Sequence, residues 1–215
     1  MAIIALSGYA RSGKDTVATI IQYLLAHSEP SYPLHMAIDK PHYTQYLHAY
    51  SSWGRKAFAH KLKEVLRLLT GISMHELLYN QSIKDVTLPR EWGVLAEDEY
   101  LRPITVREAL QKIGTDALRD TFHPDVWVNA LMTDYDSYSH WVITDLRFKN
   151  EAAALEKVEN AFLVRVSRPG VEPVNNHPSE VDLDDYSFSY VINNNGDTAQ
   201  LILEVMSLLK KLQLL

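Results

Sequence analysis

The stretch Ile3-Ile4-Ala5-Leu6-Ser7-Gly8-Tyr9-Ala10-Arg11-Ser12-Gly13-Lys14-Asp15-Thr16 constrains the chain more than any other. An apolar run short enough for a buried strand breaks at Gly8, turns through small and basic residues, and re-enters regular structure at Gly13-Lys14, where a helical pattern begins. Gly8 and Gly13 keep the G-x-x-x-x-G-K separation of a phosphate-binding loop. Glycines let backbone N–H groups curl round an anion, the new helix points its positive end at the same anion, and Lys14 reaches the outer phosphates as a point charge. The position after the lysine usually carries Ser or Thr to ligate magnesium; here it is Asp15, followed by Thr16. A carboxylate is also a hard oxygen ligand, so Asp15 is a candidate for direct or water-mediated magnesium binding. The bland reading, a glycine turn that merely caps a helix, does not require the strand and amphipathic helix that flank it.

The rest of the composition bounds the setting. With 215 residues, 47% hydrophobic and 22% charged, the chain can bury one sizeable core, and one domain over 1–215 with excursions is expected. A net charge of −6 argues against broad nucleic-acid or anionic-membrane binding. Zero cysteines rule out disulfides and thiolate metal sites and suit a reducing cytoplasm. No apolar stretch reaches membrane-spanning length, and the N-terminal run lacks a signal peptide's basic flank.

After the loop, Val17, Ile20, Ile21, Leu24 and Leu25 recur at helical spacing, which predicts a helix ending near His27 to Pro30. Ser31 to Ser52 reads as an irregular excursion whose tyrosines, Tyr32, Tyr43, Tyr46 and Tyr50, pack onto the body in preference to facing a ligand. Trp53 to Phe58 suits a second strand. Ala59 to Thr70 suits a helix with the stripe Leu62, Val65, Leu66 and Leu69, stopped by Gly71. Lys61, Lys63 and Arg67 fall off that stripe, either as a solvated basic face or, for Lys61 and Lys63, as contacts for an acceptor substrate. Ser73 to Tyr79 is a short helix, and Asn80 to Pro103 a polar connection.

Thr105-Val106-Arg107-Glu108 is a capping box that opens a helix whose buried face is Val106, Ala109, Leu110, Ile113, Ala117 and Leu118. Arg107, Gln111, Thr115 and Arg119 step along one flank by fours, as an exposed polar face or as a ladder that grips a phosphate and a planar base. Gly114 in mid-helix suggests close approach by a backbone or ligand. His123-Pro124-Asp125 opens another helix, in which Trp127 is either core or a wall for an aromatic ligand. Trp141 to Thr144 is a short buried strand that delivers Asp145 and Arg147 to the carboxyl end of a parallel sheet, as candidate magnesium or acceptor and phosphate ligands. A helix over Asn150 to Val158 and a strand over Ala161 to Val166 follow. Arg168 then leads into an acidic loop, where a lid would sit. His177 and Glu180 in it are structural contacts in preference to a metal or acid–base pair. A strand over Phe188 to Asn193, a turn and a helix over Thr198 to Leu212 complete the chain.

Taken together, Ser7-Gly8 through Thr16, Phe58-Ala59 with Leu62-Lys63, Leu110-Gln111 with Gly114-Thr115-Asp116 and Trp127-Val128, and Thr144-Asp145-Leu146-Arg147-Phe148 with Asn150-Glu151 resemble the deoxynucleoside monophosphate kinases of tailed bacteriophages. His177-Pro178-Ser179-Glu180 and the turn from Asn193 to Gly196 are similar too. The resemblance leaves out Ser31 to Ser52 and Asn80 to Pro103. The Gly-Lys-Asp form of the loop also resembles that of animal-type phosphomevalonate kinase.

The resemblance implies a P-loop NTPase, an α/β nucleoside-monophosphate-kinase-like three-layer fold with a five-stranded parallel sheet. It also implies an acceptor-binding helical region at about 59–138 and a lid-like segment at about 168–186. The implied reaction moves the γ-phosphoryl group of ATP to a deoxynucleoside 5′-monophosphate, with Mg2+ held through Asp15 and Asp145. Gly8, Arg11, Gly13, Lys14, Asp15 and Thr16 would then bind ATP. Arg107, Gly114, Thr115 and Trp127, with Gln111, Arg119, Lys61, Lys63 and Asp145, would meet the acceptor. Lys14, Arg11, Arg147 and Arg168 are the expected catalytic charges, because a loose in-line transition state needs cations and backbone donors more than a nucleophilic side chain. The expected partners are small-molecule nucleotides, with a homodimer left open. A kinase for another phosphorylated acceptor, or a nucleotide-dependent regulatory ATPase, would share the loop.

Overall fold

Ile3 to Ser7 form the strand β1, and all five residues are buried. An unbroken apolar run is what a central parallel strand needs, since helices cover both of its faces and leave no side for polar alternation. The computed structural model describes residues 1–26, 32–95, 101–136, 138–174 and 176–215. After β1 come α1 (Lys14–Leu24), α2 (Leu34–Asp39), α3 (Pro41–Tyr50), β2 (Trp53–Lys56), α4 (Ala59–Thr70) and α5 (Met74–Tyr79). The small hairpin of β3 (Val94–Leu95) and β4 (Leu101–Arg102) precedes α6 (Val106–Gln111), a π-helical continuation (Lys112–Phe122) and α7 (Val126–Met132). The chain finishes with β5 (His140–Ile143), α8 (Lys149–Leu155), β6 (Ala161–Ser167), α9 (Pro178–Val181), β7 (Tyr190–Asn193) and α10 (Thr198–Lys211).

These elements divide into two compact units, Met1–Ala57 with Asp134–Leu215, and Phe58–Thr133. In the first, five strands lie in the order β2-β5-β1-β6-β7, every neighbouring pair parallel. The expected five-stranded parallel sheet is present. On one face Ile4, Leu6, Val164 and Val166 pack with Val17, Ile20 and Ile21 of α1 and Leu201, Val205 and Leu208 of α10. α8 packs against β6, and its buried Ala152 and Leu155 lie outside that cluster. The strand order reverses at β1, because β2 and β5 lie to one side and β6 and β7 to the other. In a parallel sheet that reversal opens a crevice beyond the carboxyl ends, where Gly8, Asp145, Arg168 and Asn194 follow their strands.

Residues 32–52 are more regular than the expected excursion, since they hold α2 and α3. Pro33 and Pro41, which read as loop signals, stand at the N-cap of α2 and the first position of α3, where a missing N–H costs nothing. Two of the tyrosines pack as expected: Tyr32 is buried with Ala37 and Leu47, its hydroxyl donates to the Tyr43 carbonyl at 3.1 Å, and the two rings lie 4.4 Å apart, while Tyr46 is 50% exposed. α1 ends at Leu24, before the expected stop at His27 to Pro30, which lies outside the described residues, as do Ser31 and the side chain of Tyr50.

The second unit is built round Leu66, Leu77, Leu88, Ile104, Val106 and Ala109. Residues 80–103, unreadable as sequence, thus contribute Leu88 to this core, and Ile104 follows directly. α4 keeps its predicted bounds and ends on Gly71, whose φ of 75° is the left-handed cap that glycine provides. Its stripe is shorter than expected: Leu66 is buried but Leu69 is 49% exposed. The Thr105–Glu108 capping box forms in both directions. The buried face assigned beyond it is corrected at Ala117, which is exposed. From Lys112 the hydrogen bonds run one residue further than in an α-helix, so each turn is wider and an α-periodic stripe no longer stays on one face.

Candidate active site

In the first unit the loop from Gly8 to Gly13 joins β1 to α1. Gly8 has a φ of 146°, and a Cβ there would stand 2.5 Å from the Val166 carbonyl oxygen, so only glycine fits between the loop and β6. Gly13 (φ 100°) is the N-cap of α1, and no side chain caps the helix's first turn. Its N–H groups are therefore left for an anion, with the helix dipole behind them. Arg11 is exposed and holds a φ of 66°, a conformation that costs a non-glycine residue about 1–3 kcal/mol and recurs at ligand-binding loops.

Lys14 folds over this loop, its Nζ donating to the carbonyls of Gly8 at 2.6 Å and Tyr9 at 2.7 Å. Burial depresses its ammonium to about 8, the Arg147 cation adding to the effect while Asp15, Glu180 and Asp145 oppose it. The same five charges thus share one neighbourhood. Asp145 is held there because Leu146 N donates to the Leu6 carbonyl at 3.1 Å, tying the turn after β5 to the end of β1. Arg147 is fixed at both ends. The buried Glu151 carboxylate accepts from the Arg147 and Phe148 amides at 2.9 and 3.1 Å, and the guanidinium donates to Glu180 at 2.6 Å and to the Ser179 carbonyl at 3.1 Å.

Asp15, expected at the phosphates and metal, accepts from Arg55 of β2; its side chain is 75% exposed and the arginine's 15%. Arg55 also contacts His48 Nε2 at 2.7 Å, and burial, then the Arg55 charge, lowers that imidazole to about 4. Among the described residues, no three His, Cys, Asp or Glu side chains gather into a metal cage. Magnesium seldom asks for one: one or two carboxylates plus phosphate oxygens and water suffice, and Asp15 and Asp145, both acting on Lys14, match that donor set.

The segment expected to act as a lid is tied to the rest of the first unit over 178–186. Beside Glu180, Asp182 accepts from the Lys149 amide, Asp185 pairs with Lys149 Nζ, Asp184 with Arg165 at 3.0 Å, and the Tyr186 hydroxyl donates to Glu156. His177 caps α9 by accepting from the Ser179 amide, and Glu180 faces Arg147, structural contacts of the kind expected of both. Arg168 stands exposed just beyond β6.

The second unit carries the remaining candidates. Trp127 is only 6% exposed and its indole N–H donates to the Gly114 carbonyl at 2.8 Å, a placement that suits the core reading of its ring and braces Gly114. The close approach expected at Gly114 comes from the Leu62 side chain, 2.8 Å from where a Cβ would stand. Arg107 pairs with Asp85 at 2.8 Å. Gln111, Thr115 and Arg119 continue from it across the change from α to π, where a step of four falls short of a full turn instead of overshooting it. The ladder therefore drifts less than in a continuous α-helix. Lys61 pairs with Glu64 at 3.9 Å, and Lys63 lies part-buried on the same helix.

Sequence reasoning did not single out Arg55 or Arg165, and it placed Glu151 and Asn194 only among the residues of the resemblance, with no role of their own. Arg55 and Asn194 lie at or just past carboxyl ends of strands, the rule that singled out Asp145, and Glu151 sits where a helix's third residue reaches back to its start. Arg165 gave no signal, since an arginine inside a strand reads as an outward-facing charge.

A two-glycine loop leads into an uncapped helix at the switch point of a parallel sheet, with Lys14 folded across it, and comparison with known proteins says which family shares it. A family model described as deoxynucleotide monophosphate kinase matches residues 55–205. The chain is 25% identical to the deoxynucleotide monophosphate kinase of Enterobacteria phage T4, over 99% of this chain and all of that protein. It is 27% identical to a protein of Acanthamoeba polyphaga mimivirus provisionally named a deoxynucleotide monophosphate kinase, over 96% of this chain and 95% of the other. It is 26% identical to the deoxynucleotide monophosphate kinase of Escherichia phage RB69, over 49% and 45%. With most of its length matched by the model and its phosphate loop inside the phage T4 alignment, the chain belongs to the deoxynucleotide monophosphate kinase family.

Proposed function

We propose that this enzyme transfers the γ-phosphoryl group of ATP to a deoxynucleoside 5′-monophosphate, giving a deoxynucleoside diphosphate and ADP. The family match and the names of the relatives support that reading over a phosphomevalonate-type kinase or a regulatory ATPase. The observation that carries it is the uncapped first turn of α1 behind a two-glycine loop, with Lys14 folded across that loop.

In this reading the amides of Gly13 to Thr16 take the β- and γ-phosphates, and Gly8 lets the loop backbone approach them. Lys14 exchanges the Gly8 and Tyr9 carbonyls for phosphate oxygens. Arg147, pre-set by Glu151 and Glu180, and Arg11 answer the charge that spreads over the transferring group, and Arg168 adds to it from the lid-like segment. Asp15 and Asp145 would hold Mg2+, whose charge, when bound, neutralises the phosphate oxygens. On the helical unit, Arg107, Gln111, Gly114, Thr115 and Arg119, with Lys61 and Lys63 on α4, meet the acceptor, and Trp127 serves them by fixing Gly114. No side chain is required as a nucleophile. The viral relatives support action on nucleotides in the cytoplasm of a host cell; among the described residues, no helix is long and apolar enough to cross a membrane.

ADP formation by the purified protein with magnesium-ATP, measured with each deoxynucleoside and ribonucleoside monophosphate in turn, tests the reading. Stimulation by at least one deoxynucleoside monophosphate is expected. ATP consumption indifferent to all of them would point to the regulatory ATPase.

A further inference from the structure

Asn194, the first residue past β7, bridges two parts of the first unit. Its amide N–H donates to the Ser167 carbonyl at 2.7 Å, at the end of β6. Its side-chain Nδ2 donates to the Ser12 carbonyl at 2.9 Å, across 182 positions of sequence. The same Nδ2 stands 2.5 Å from where a Cβ on Gly13 would be, so the absence of a side chain at Gly13 is what admits the contact.

The consequence follows from the geometry of the peptide bond. In a planar trans peptide the carbonyl and the next residue's N–H point in opposite directions. Drawing the Ser12 carbonyl toward Asn194 therefore aims the Gly13 N–H away from Asn194. The Gly13 amide is the last of the loop and leads straight into the uncapped turn of α1. Ser12 itself is 1% exposed, and its Oγ, packed 2.7 Å from where a Gly8 Cβ would stand, has no hydrogen-bond partner, so its side chain does not set this peptide's orientation.

We propose that Asn194 is a positioning residue for ATP: by holding the Ser12 carbonyl and the Ser167 carbonyl at once, it fixes the direction of the Gly13 N–H. It thereby sets the phosphate loop in register with the point where the Arg168 segment leaves β6. The proposal rests on the reading that this loop binds the ATP phosphates. Asn194 touches no reacting atom; it acts through the Ser12–Gly13 peptide.

The test is the dissociation constant for magnesium-ATP, measured by calorimetry at pH 8 and pH 5.5 for the wild type, Asn194→Asp, Asn194→Ala and Asn195→Asp. Aspartate has asparagine's shape but is a donor only when protonated. Asn194→Asp should weaken ATP binding about tenfold or more at pH 8, where a carboxylate faces the Ser12 carbonyl, and recover part of the loss at pH 5.5. Asn194→Ala should weaken binding equally at both pH values. Asn195→Asp adds the same charge at an exposed neighbouring position and should stay within about twofold of wild type. KM for the monophosphate acceptor should stay within about twofold in the folded variants, each checked by thermal unfolding, because one peptide of the donor loop is affected. ATP affinity in Asn194→Asp and Asn194→Ala equal to wild type would overturn the proposal, as would an equal loss in Asn195→Asp. A wild type that binds no ATP would instead remove the underlying reading of the loop.

Discussion

The Arg147 guanidinium donates to the Glu180 carboxylate at 2.6 Å and to the carbonyl of the preceding Ser179 at 3.1 Å, so one arginine ties the turn after β5 to α9. Glu180's side chain is nearly buried, which makes this pair a fixed support more than a surface ion pair. Arg147→Ala should lower kcat by about 10²–10³ without a matching rise in KM for ATP, the pattern of a cation used in the transition state. Arg147→Lys should not restore it, because an ammonium cannot hold both partners in one plane. Glu180→Gln should cost less, roughly tenfold, since Glu151 still holds the backbone. Steady-state kinetics on the three variants checks this.

Lys14 gives a pH signature. Its ammonium is needed at the phosphates, and burial together with Arg147 lowers it to about 8. For the free enzyme, kcat/KM for ATP should fall as pH rises through about 8, while kcat should fall only at higher pH, because bound phosphate favours the charged form. Glu180→Gln removes a charge that raises the Lys14 pKa, so it should move the kcat/KM limb to lower pH. Stability runs the other way. Between about 8 and the ordinary lysine value the unfolded chain holds a proton the folded one has released, so stability rises with pH there. Lys14→Met should abolish transfer, unfold at no lower temperature than wild type near pH 7, and lack that rise. Pre-steady-state and calorimetric pH series separate the two effects.

Asp15 and Arg55 should behave as a coupled pair. Arg55→Ala removes the cation that holds the Asp15 carboxylate in place beside the loop and should raise KM for magnesium-ATP, whereas Asp15→Asn combined with Arg55→Ala should raise it less than the single effects add up to. His48, buried against the same arginine and lowered to about 4, stays neutral in the folded chain while the unfolded chain takes up a proton below about 6.5. Stability should therefore decline as pH falls from about 6.5 to 4, and His48→Gln should flatten that decline. Urea titrations across that range, with a thermodynamic cycle on KM for ATP, read both.

In the helical unit, Trp127→Phe replaces the indole with a smaller aromatic ring and removes the donor to the Gly114 carbonyl. A loss of about 2–4 kcal/mol is expected, from a buried acceptor left without that donor and from the space the indole filled. Chemical unfolding of the variant measures it. KM for the acceptor should rise more than KM for ATP if Trp127 serves the acceptor through Gly114.

What could be read in advance follows the range of the forces involved. β1, the glycine loop, α4 with its Gly71 stop and the Thr105 capping box are local patterns, each set by residues within a turn or two, and each stands where the sequence puts it. α2 and α3 were missed because proline signals a break to the residues before it yet suits a helix's first position. The π-helical stretch after Lys112 was invisible, since its sequence keeps an α-like spacing; within it Leu62 and Trp127 close on Gly114, contacts the local sequence does not announce. At the site, Lys14, Asp15, Asp145 and Arg147 were legible from a motif and from strand ends. Arg55 acts on Asp15 from 40 positions away and Asn194 on the Ser12 carbonyl from 182, and long-range pairing leaves little trace in one sequence; Glu151, four residues from Arg147, left only the local signal of a helix's third residue.

The central claim is that the backbone turn between β1 and α1 holds the phosphates of ATP. The most direct measurement is a crystal structure of the protein with magnesium and a non-hydrolysable ATP analogue. The account predicts β- and γ-phosphate oxygens within hydrogen-bonding distance of the amides of Gly13 to Thr16, with Lys14 Nζ moved from the Gly8 and Tyr9 carbonyls onto phosphate. An analogue bound elsewhere, with Lys14 still on those carbonyls, would contradict it.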